Sequence, residues 1–181
     1  MVCCNYYVVN LFKNCIYDCS YCFLQDFLHN NPLLVAYVNV EDLLEELDQT
    51  FTAYPDRTFR VGTGELADSL ALDEIIPYSQ QLIPFFNKQR NAVLELKTKS
   101  NCVKNLLNQS CTDNVIVSWS LNPQIIVAQE EKGTPSLQQR LEAARLCAIK
   151  GYKIGIHLDP IIIFQGWERE YHGMIEQIFE V

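Results

Sequence analysis

The chain predicts an α/β fold in which a parallel sheet alternates with helices. Three observations point to it. Short apolar runs and longer amphipathic segments alternate five times along the 181 residues, as β–α units joined by right-handed crossovers do. Helix-boundary residues fall between those runs: Ser136 is placed to cap a helix and Gly151 to stop it. The residues able to do chemistry follow the apolar runs, where the carboxyl ends of parallel strands gather a site. Pattern alone fits a barrel and an open doubly wound sheet equally.

Taken in order, residues 6–12 (YYVVNLF) read as a buried strand, with a cysteine loop directly after it. Residues 41–48 (EDLLEELD) place leucines at helical spacing behind an acidic start, which suits a helix N-terminus. A second strand covers 58–61 and ends in Gly62-Thr63-Gly64-Glu65. Residues 68–88 read as mostly helical, broken or kinked at Pro77 and Pro84. Strand three is 92–96, running toward Lys97-Thr98-Lys99, and 103–108 is a short helix. Strand four is 115–121, a helix covers 136–149, strand five lies within 152–163 near Pro160, and a fifth helix runs from Gly166 to Val181.

Composition narrows the class. Apolar residues make up 49% and charged residues 20%, enough for one domain with a sizeable core over 1–181. No apolar run approaches the roughly 20 residues that span a bilayer. A net charge of −8 argues against a broad, unspecific grip on nucleic acid and leaves room for a local basic groove. Residues 1–10 show neither a charged leader region nor a cleavage site. The expected compartment is therefore the cytoplasm, where clustered cysteines serve as metal ligands or catalytic groups more often than as disulfides.

The cysteine loop carries the chemistry. Cys15, Cys19 and Cys22 form C-x3-C-x2-C, three thiolates where a closed tetrahedral site needs four. An iron–sulfur cube held by three cysteines keeps one iron open to a ligand. The competing reading is zinc completed by a distant fourth ligand. Structural zinc usually brings a second paired element, yet His29, His157 and His172 are scattered. Other residues are weaker signals singly. Gly-Thr-Gly-Glu is a common strand-ending turn, Lys99 alone reads as a solvated charge, and Ser118 and Ser120 suit a barrel interior. His157 fits an interior histidine or a substrate contact, Cys147 a core position, and Cys3 and Cys4 lie before the first strand.

The cysteine loop after strand one, with Gly62-Thr63-Gly64-Glu65 after strand two, resembles the radical S-adenosylmethionine superfamily. Within it, the chain is similar to the spore photoproduct lyase family. The residues that carry this are Cys19-Ser20-Tyr21-Cys22-Phe23-Leu24-Gln25, Tyr37-Val38-Asn39, Glu131-Lys132-Gly133-Thr134-Pro135-Ser136, Arg140-Leu141-Glu142-Ala143-Ala144-Arg145 and Gly166-Trp167-Glu168-Arg169. The resemblance runs from about Val9 to the last residue. It implies a partial (β/α)6 barrel with about five units present, the sixth strand and a C-terminal extension lying outside the sequence.

The resemblance further implies a [4Fe-4S] cluster on Cys15, Cys19 and Cys22, with S-adenosylmethionine (AdoMet) chelating the open iron. Reduction by an external flavodoxin- or ferredoxin-type donor then yields a 5′-deoxyadenosyl radical that abstracts hydrogen, in the family from thymine photolesions in DNA. Gly62, Thr63, Gly64 and Glu65 would accept the cofactor, the glycines by letting backbone approach it and Glu65 by bonding its ammonium. Lys99, or alternatively Lys97, would pair with its carboxylate. Ser120 and Asn122 would bond the ribose or methionyl end, and Tyr21 would pack on the adenine side.

Three departures stand out. The family's hydrogen-donating cysteine after strand two falls at or beside Glu65, and no cysteine lies between Cys22 and Cys102. Cys102 is therefore the candidate catalytic donor, and a substrate other than the thymine lesion is the alternative. Phe23 stands where the family often has tyrosine. A partial barrel also calls for a missing segment or a second chain to complete it. Outside radical chemistry, a non-catalytic iron–sulfur or zinc protein remains the third reading.

Overall fold

The computed structural model describes residues 6–27, 31–110 and 112–180. Cys3, Cys4, His29, Cys111 and Val181 lie outside the described residues. In chain order the elements are β1 (Tyr6–Val8), β2 (Phe12–Lys13), β3 (Asp18–Cys19), α1 (Leu24–Phe27), β4 (Val35–Ala36), α2 (Val40–Ala53), β5 (Phe59–Gly62), α3 (Ser79–Phe86), β6 (Ala92–Thr98) and α4 (Lys104–Leu107). They continue with β7 (Val115–Ser120), α5 (Gln124–Glu130), β8 (Glu131–Lys132), α6 (Leu137–Lys150), β9 (Lys153–His157) and α7 (Trp167–Glu180).

Five strands form one parallel sheet in the order β1-β5-β6-β7-β9. Spatial order follows chain order with no reversal. A doubly wound sheet reverses direction at a switch point, whereas a β/α barrel adds each strand on the same side. The sheet is therefore five strands of a partial barrel. Register runs Val8 to Gly62, Gly62 to Glu95, Glu95 to Ile116 and Ser120 to His157.

Alternation along the strands separates two faces. Val61, Leu94, Leu96, Val117 and Trp119 are buried in one core with Leu82, Ile83 and Phe86 of α3 and Leu141, Ala144 and Cys147 of α6. Trp119 has no exposed surface, and its indole N–H donates to the Ser100 carbonyl at 2.9 Å. Arg60, Glu95, Ser118 and His157 project from the opposite face and bond one another there.

Boundary chemistry set α6 as expected. The Ser136 hydroxyl accepts from the Gln139 amide while the Gln139 side chain accepts from the Ser136 amide, and Gly151 ends the helix at φ 105°.

Other expectations shift. Of 68–88 only Ser79–Phe86 is an α-helix. The stretch before it is held in turns, with Asp73 accepting from both the amide and the hydroxyl of Ser79. The first strand stops at Val8. Leu11 and Phe12 then leave the sheet to be buried, the Phe12 ring 4.7 Å from that of Tyr78. Helix α5 and the two short antiparallel ribbons, β2 with β4 and β3 with β8, had no periodic signal to announce them. No helix among the described residues is long and apolar enough to cross a membrane.

Candidate cofactor site

At the carboxyl ends of the strands lies a cleft of about 440 Å3. Cys15, Cys19 and Cys22 line it together with Gly64 and Glu65 after β5, Lys97 and Lys99 at the end of β6, and Ser120 at the end of β7. The cysteine loop is shaped by short contacts rather than by regular structure. Asn14 adopts a positive φ of 75°, a conformation asparagine tolerates better than most side chains. Its side-chain oxygen accepts from the Cys15 amide at 2.9 Å. The β3–β8 ribbon sets Cys19 opposite Glu131, and the Ser20 amide donates to the Glu130 carbonyl at 2.8 Å. Leu24 is the buried anchor beyond Cys22.

The thiols are electrostatically poised. Burial, with Asp68 nearby, pushes Cys15 up to about 11. Burial also pushes Cys19 up to about 12, against the pull of the Lys99 ammonium and with Glu131 adding to the rise. Without a cationic centre these groups stay protonated, and a metal that displaces their protons is the usual way such thiols ionise. Among the described residues no three His, Cys, Asp or Glu side chains converge as ligands of one ion. All three thiols line the one cleft, as ligands of a shared polynuclear cluster would, each binding its own iron.

The Gly-Thr-Gly-Glu turn reaches the cleft through its second half. Gly64 and Glu65 line it, whereas the Thr63 hydroxyl donates to Ser69 at 2.8 Å and is buried. Packing within the protein itself also demands these two glycines. A Cβ on Gly62 would fall 1.8 Å from the Tyr6 hydroxyl oxygen, and one on Gly64 would stand 2.9 Å from the Lys97 carbonyl oxygen.

Tyr21 lines the cleft with Lys99 over its ring at 5.6 Å, and its hydroxyl donates to Glu131. Lys97 is 3.5 Å from Asp159. Asn122 is buried and committed to protein partners. Its amide nitrogen donates to Glu131 at 2.9 Å, and its oxygen accepts from the Tyr171 hydroxyl at 2.6 Å. Cys102 is not in the lining of the cleft. It lies near Tyr17, with its amide donating to the Ser100 hydroxyl at 3.0 Å.

Three positions escaped sequence reasoning. Asp68 accepts from the Lys99 amide and the Thr98 hydroxyl, each at 2.6 Å, and from the amides of Leu70 and Ala71. Its one signal was an aspartate just past a strand-ending turn. Glu131 and Arg140 form an ion pair at 2.5 Å with both side chains fully buried. They were visible only as parts of resembling stretches.

A partial barrel with a three-cysteine loop at the carboxyl ends of its strands is the arrangement expected of a radical AdoMet core. The comparisons with known proteins narrow that class. The sequence model of spore photoproduct lyase matches residues 3–181, and the chain belongs to the spore photoproduct lyase family. Relatives include the spore photoproduct lyase of Bacillus subtilis (strain 168), 28% identical, and that of Geobacillus sp. (strain Y412MC61), 27% identical; each alignment covers 95% of this chain and 50% of the relative. The chain thus spans about half the length of the curated relatives it matches.

A solved structure of a spore photoproduct lyase mutant with bound AdoMet and dinucleoside spore photoproduct superposes with a TM-score of 0.91 at 27% identity. It covers 96% of this chain and 51% of that one. Native anSMEcpe with bound AdoMet matches at a TM-score of 0.68 and 14% identity, covering 97% of this chain and 48% of that one, a likeness of fold alone.

Proposed function

We propose that the chain is a [4Fe-4S]-dependent radical AdoMet protein of spore photoproduct lyase type, acting in repair of thymine photolesions in DNA. One observation carries the reading: the three cysteines share a single cleft with Gly64, Glu65, Lys99 and Ser120. Cys15, Cys19 and Cys22 would hold the cluster. When bound and reduced, the cluster supplies the electron that cleaves the sulfonium and so provides a radical for hydrogen abstraction. Glu65 would accept from the cofactor's ammonium, Lys99 would donate to its carboxylate, and the Ser120 hydroxyl would bond its polar edge. Tyr21 would bound the adenine side.

Asn122 would act at one remove, by orienting Tyr21 and Glu131. A cytoplasmic location and an external one-electron reductant go with this chemistry. The partial barrel would work together with a further segment or second chain that closes the interior.

The test is anaerobic reconstitution followed by dithionite reduction with AdoMet. Roughly four iron and four sulfide per chain, with 5′-deoxyadenosine released, supports the reading. A colourless protein holding tetrahedral zinc overturns it. One observation favours a second reading, the same chemistry on another substrate. A carboxylate, Glu65, lines the cleft at or beside the position of the family's thiol, and Cys102 lies outside that lining. A dinucleotide photoproduct that neither suppresses nor redirects 5′-deoxyadenosine release selects this second reading.

A further inference from the structure

We infer that the Glu131–Arg140 pair is the positioning element of the cleft: it fixes the Tyr21 ring, and through that ring the Lys99 ammonium, without touching the ligand. The inference rests on the reading of the cleft as an AdoMet site.

Both side chains are fully buried and 2.5 Å apart. Such a pair gives little net stability by itself, because stripping water from two charges offsets their attraction. What it supplies is direction. Arg140 spreads over three further acceptors: the Pro135 carbonyl at 3.0 Å, the Ser120 carbonyl at 3.1 Å and the Thr134 hydroxyl at 2.6 Å. One guanidinium therefore holds the turn after β8 to the carboxyl end of β7, the strand end whose Ser120 lines the cleft. A planar fork with five fixed donors is suited to this, and a lysine is not.

Glu131 carries that fixed point toward the cysteines. It accepts from the Tyr21 hydroxyl and from Asn122, and Asn122 is itself held by Tyr171 of α7. Tyr21 sits between two of the three cysteines, so its ring has little freedom once the hydroxyl is bound. The Lys99 ammonium rests over that ring at 5.6 Å, attracted by the negative face of the aromatic system. Arg140, Glu131 and Lys99 thus alternate in charge from helix α6 to the cleft wall. Neither Glu131 nor Arg140 lines the cleft, so both act through Tyr21.

The test uses Glu131→Gln and Tyr21→Phe, each alone and in a Lys99→Gln background. Every protein is reconstituted anaerobically, and iron content and AdoMet affinity are measured by equilibrium dialysis without reductant. The expected result is wild-type iron content with AdoMet affinity about tenfold weaker in each single variant, a change of about 1.4 kcal/mol. In the Lys99→Gln background each change should cost clearly less than it does alone, because the part of its effect that runs through Lys99 is gone and only the packing of the Tyr21 ring itself remains.

Wild-type affinity in Glu131→Gln overturns the inference, as does loss that is undiminished without Lys99. Loss of iron rather than of affinity also overturns it, since the pair would then be a scaffold for the cysteine loop. If Glu131→Gln proves insoluble, Tyr21→Phe leaves the buried pair intact and decides alone, with unchanged affinity counting against. A wild-type protein that takes up no cluster sinks the proposed function itself, an outcome distinct from all of these.

Discussion

The Lys97 carbonyl oxygen fills the space beside Gly64, so that a Cβ built on the glycine would lie 2.9 Å from it, with the Lys97 Cβ at 3.3 Å. The Gly-Thr-Gly-Glu turn is thereby pressed onto β6, the strand that delivers both lysines to the cleft. Its backbone also accepts support there: the Ser69 amide donates to the same Lys97 carbonyl at 3.2 Å.

Gly64→Ala should accordingly be the costlier of the two glycine substitutions. The clash is with backbone, which gives way only by moving the strand, at about 1–3 kcal/mol for overpacking of this kind. Gly62→Ala meets the ring of Tyr6, which is at the sheet edge and 36% exposed and can swing aside. Urea midpoints of the two variants measure the difference. A Gly62→Ala protein less stable than Gly64→Ala would contradict this account of the turn.

Arg140→Met leaves the Glu131 charge buried with its cationic partner removed, which typically costs about 3–5 kcal/mol. Adding Glu131→Leu removes the charge that was stranded. The double variant should therefore be more stable than Arg140→Met alone, though the Tyr21 hydroxyl and the Asn122 amide nitrogen each lose their Glu131 acceptor. Thermal melts of the single and double variants check this, and a double variant less stable than the single would show that the bonds outweigh the charges.

How far the sequence could lead is visible in these same residues. Five strands and the α6 boundaries were legible because burial imposes a period and helix ends need specific side chains. That the three cysteines would face one cleft was legible because their spacing keeps them within one short loop whatever the tertiary structure. Asp68 and Glu131 were not. Their importance comes from what packs beside them, Lys99 for one and Arg140 for the other, and those partners are 31 and 9 residues away with no periodic relation. The same limit explains Asn122, whose position after β7 suggested a ligand contact while its actual partners come from the cysteine loop, β8 and α7. Helix α5 was hidden because QIIVAQE is rich in β-branched residues and too short to show a helical repeat.

Stability should fall on the acid side through Glu95. Burial alone would raise its carboxyl, but hydrogen bonds from Ser118, His157 and Arg60 outweigh burial and hold it below the usual carboxylate range. A carboxyl lower in the folded than in the unfolded chain contributes stability above its unfolded value of about 4.3. That contribution disappears as pH falls through the folded value. Glu95→Gln should therefore melt below wild type near neutrality, with the gap closing as pH falls below about 4.3 and on through the lower folded value. A gap that stays constant across that range would assign the acid sensitivity to other groups.

Lys97 and Lys99 both line the cleft, and their partners distinguish them. Lys97 pairs at 3.5 Å with Asp159, whose side chain is 74% exposed, and such a pair is worth about 0–1 kcal/mol. Lys99 stands over the Tyr21 ring, and its backbone amide is fixed by Asp68 at 2.6 Å. The better-held cation is the one suited to receive a carboxylate. Lys99→Gln should weaken AdoMet binding by roughly ten- to a hundredfold, the range for a hydrogen bond to a charged group of about 1.5–3 kcal/mol. Lys97→Gln should change it by about fivefold or less, the span of about 0–1 kcal/mol for an exposed pair. Equilibrium dialysis with iron content measured on the same samples separates the two, and a larger loss from Lys97→Gln would transfer the carboxylate to that residue.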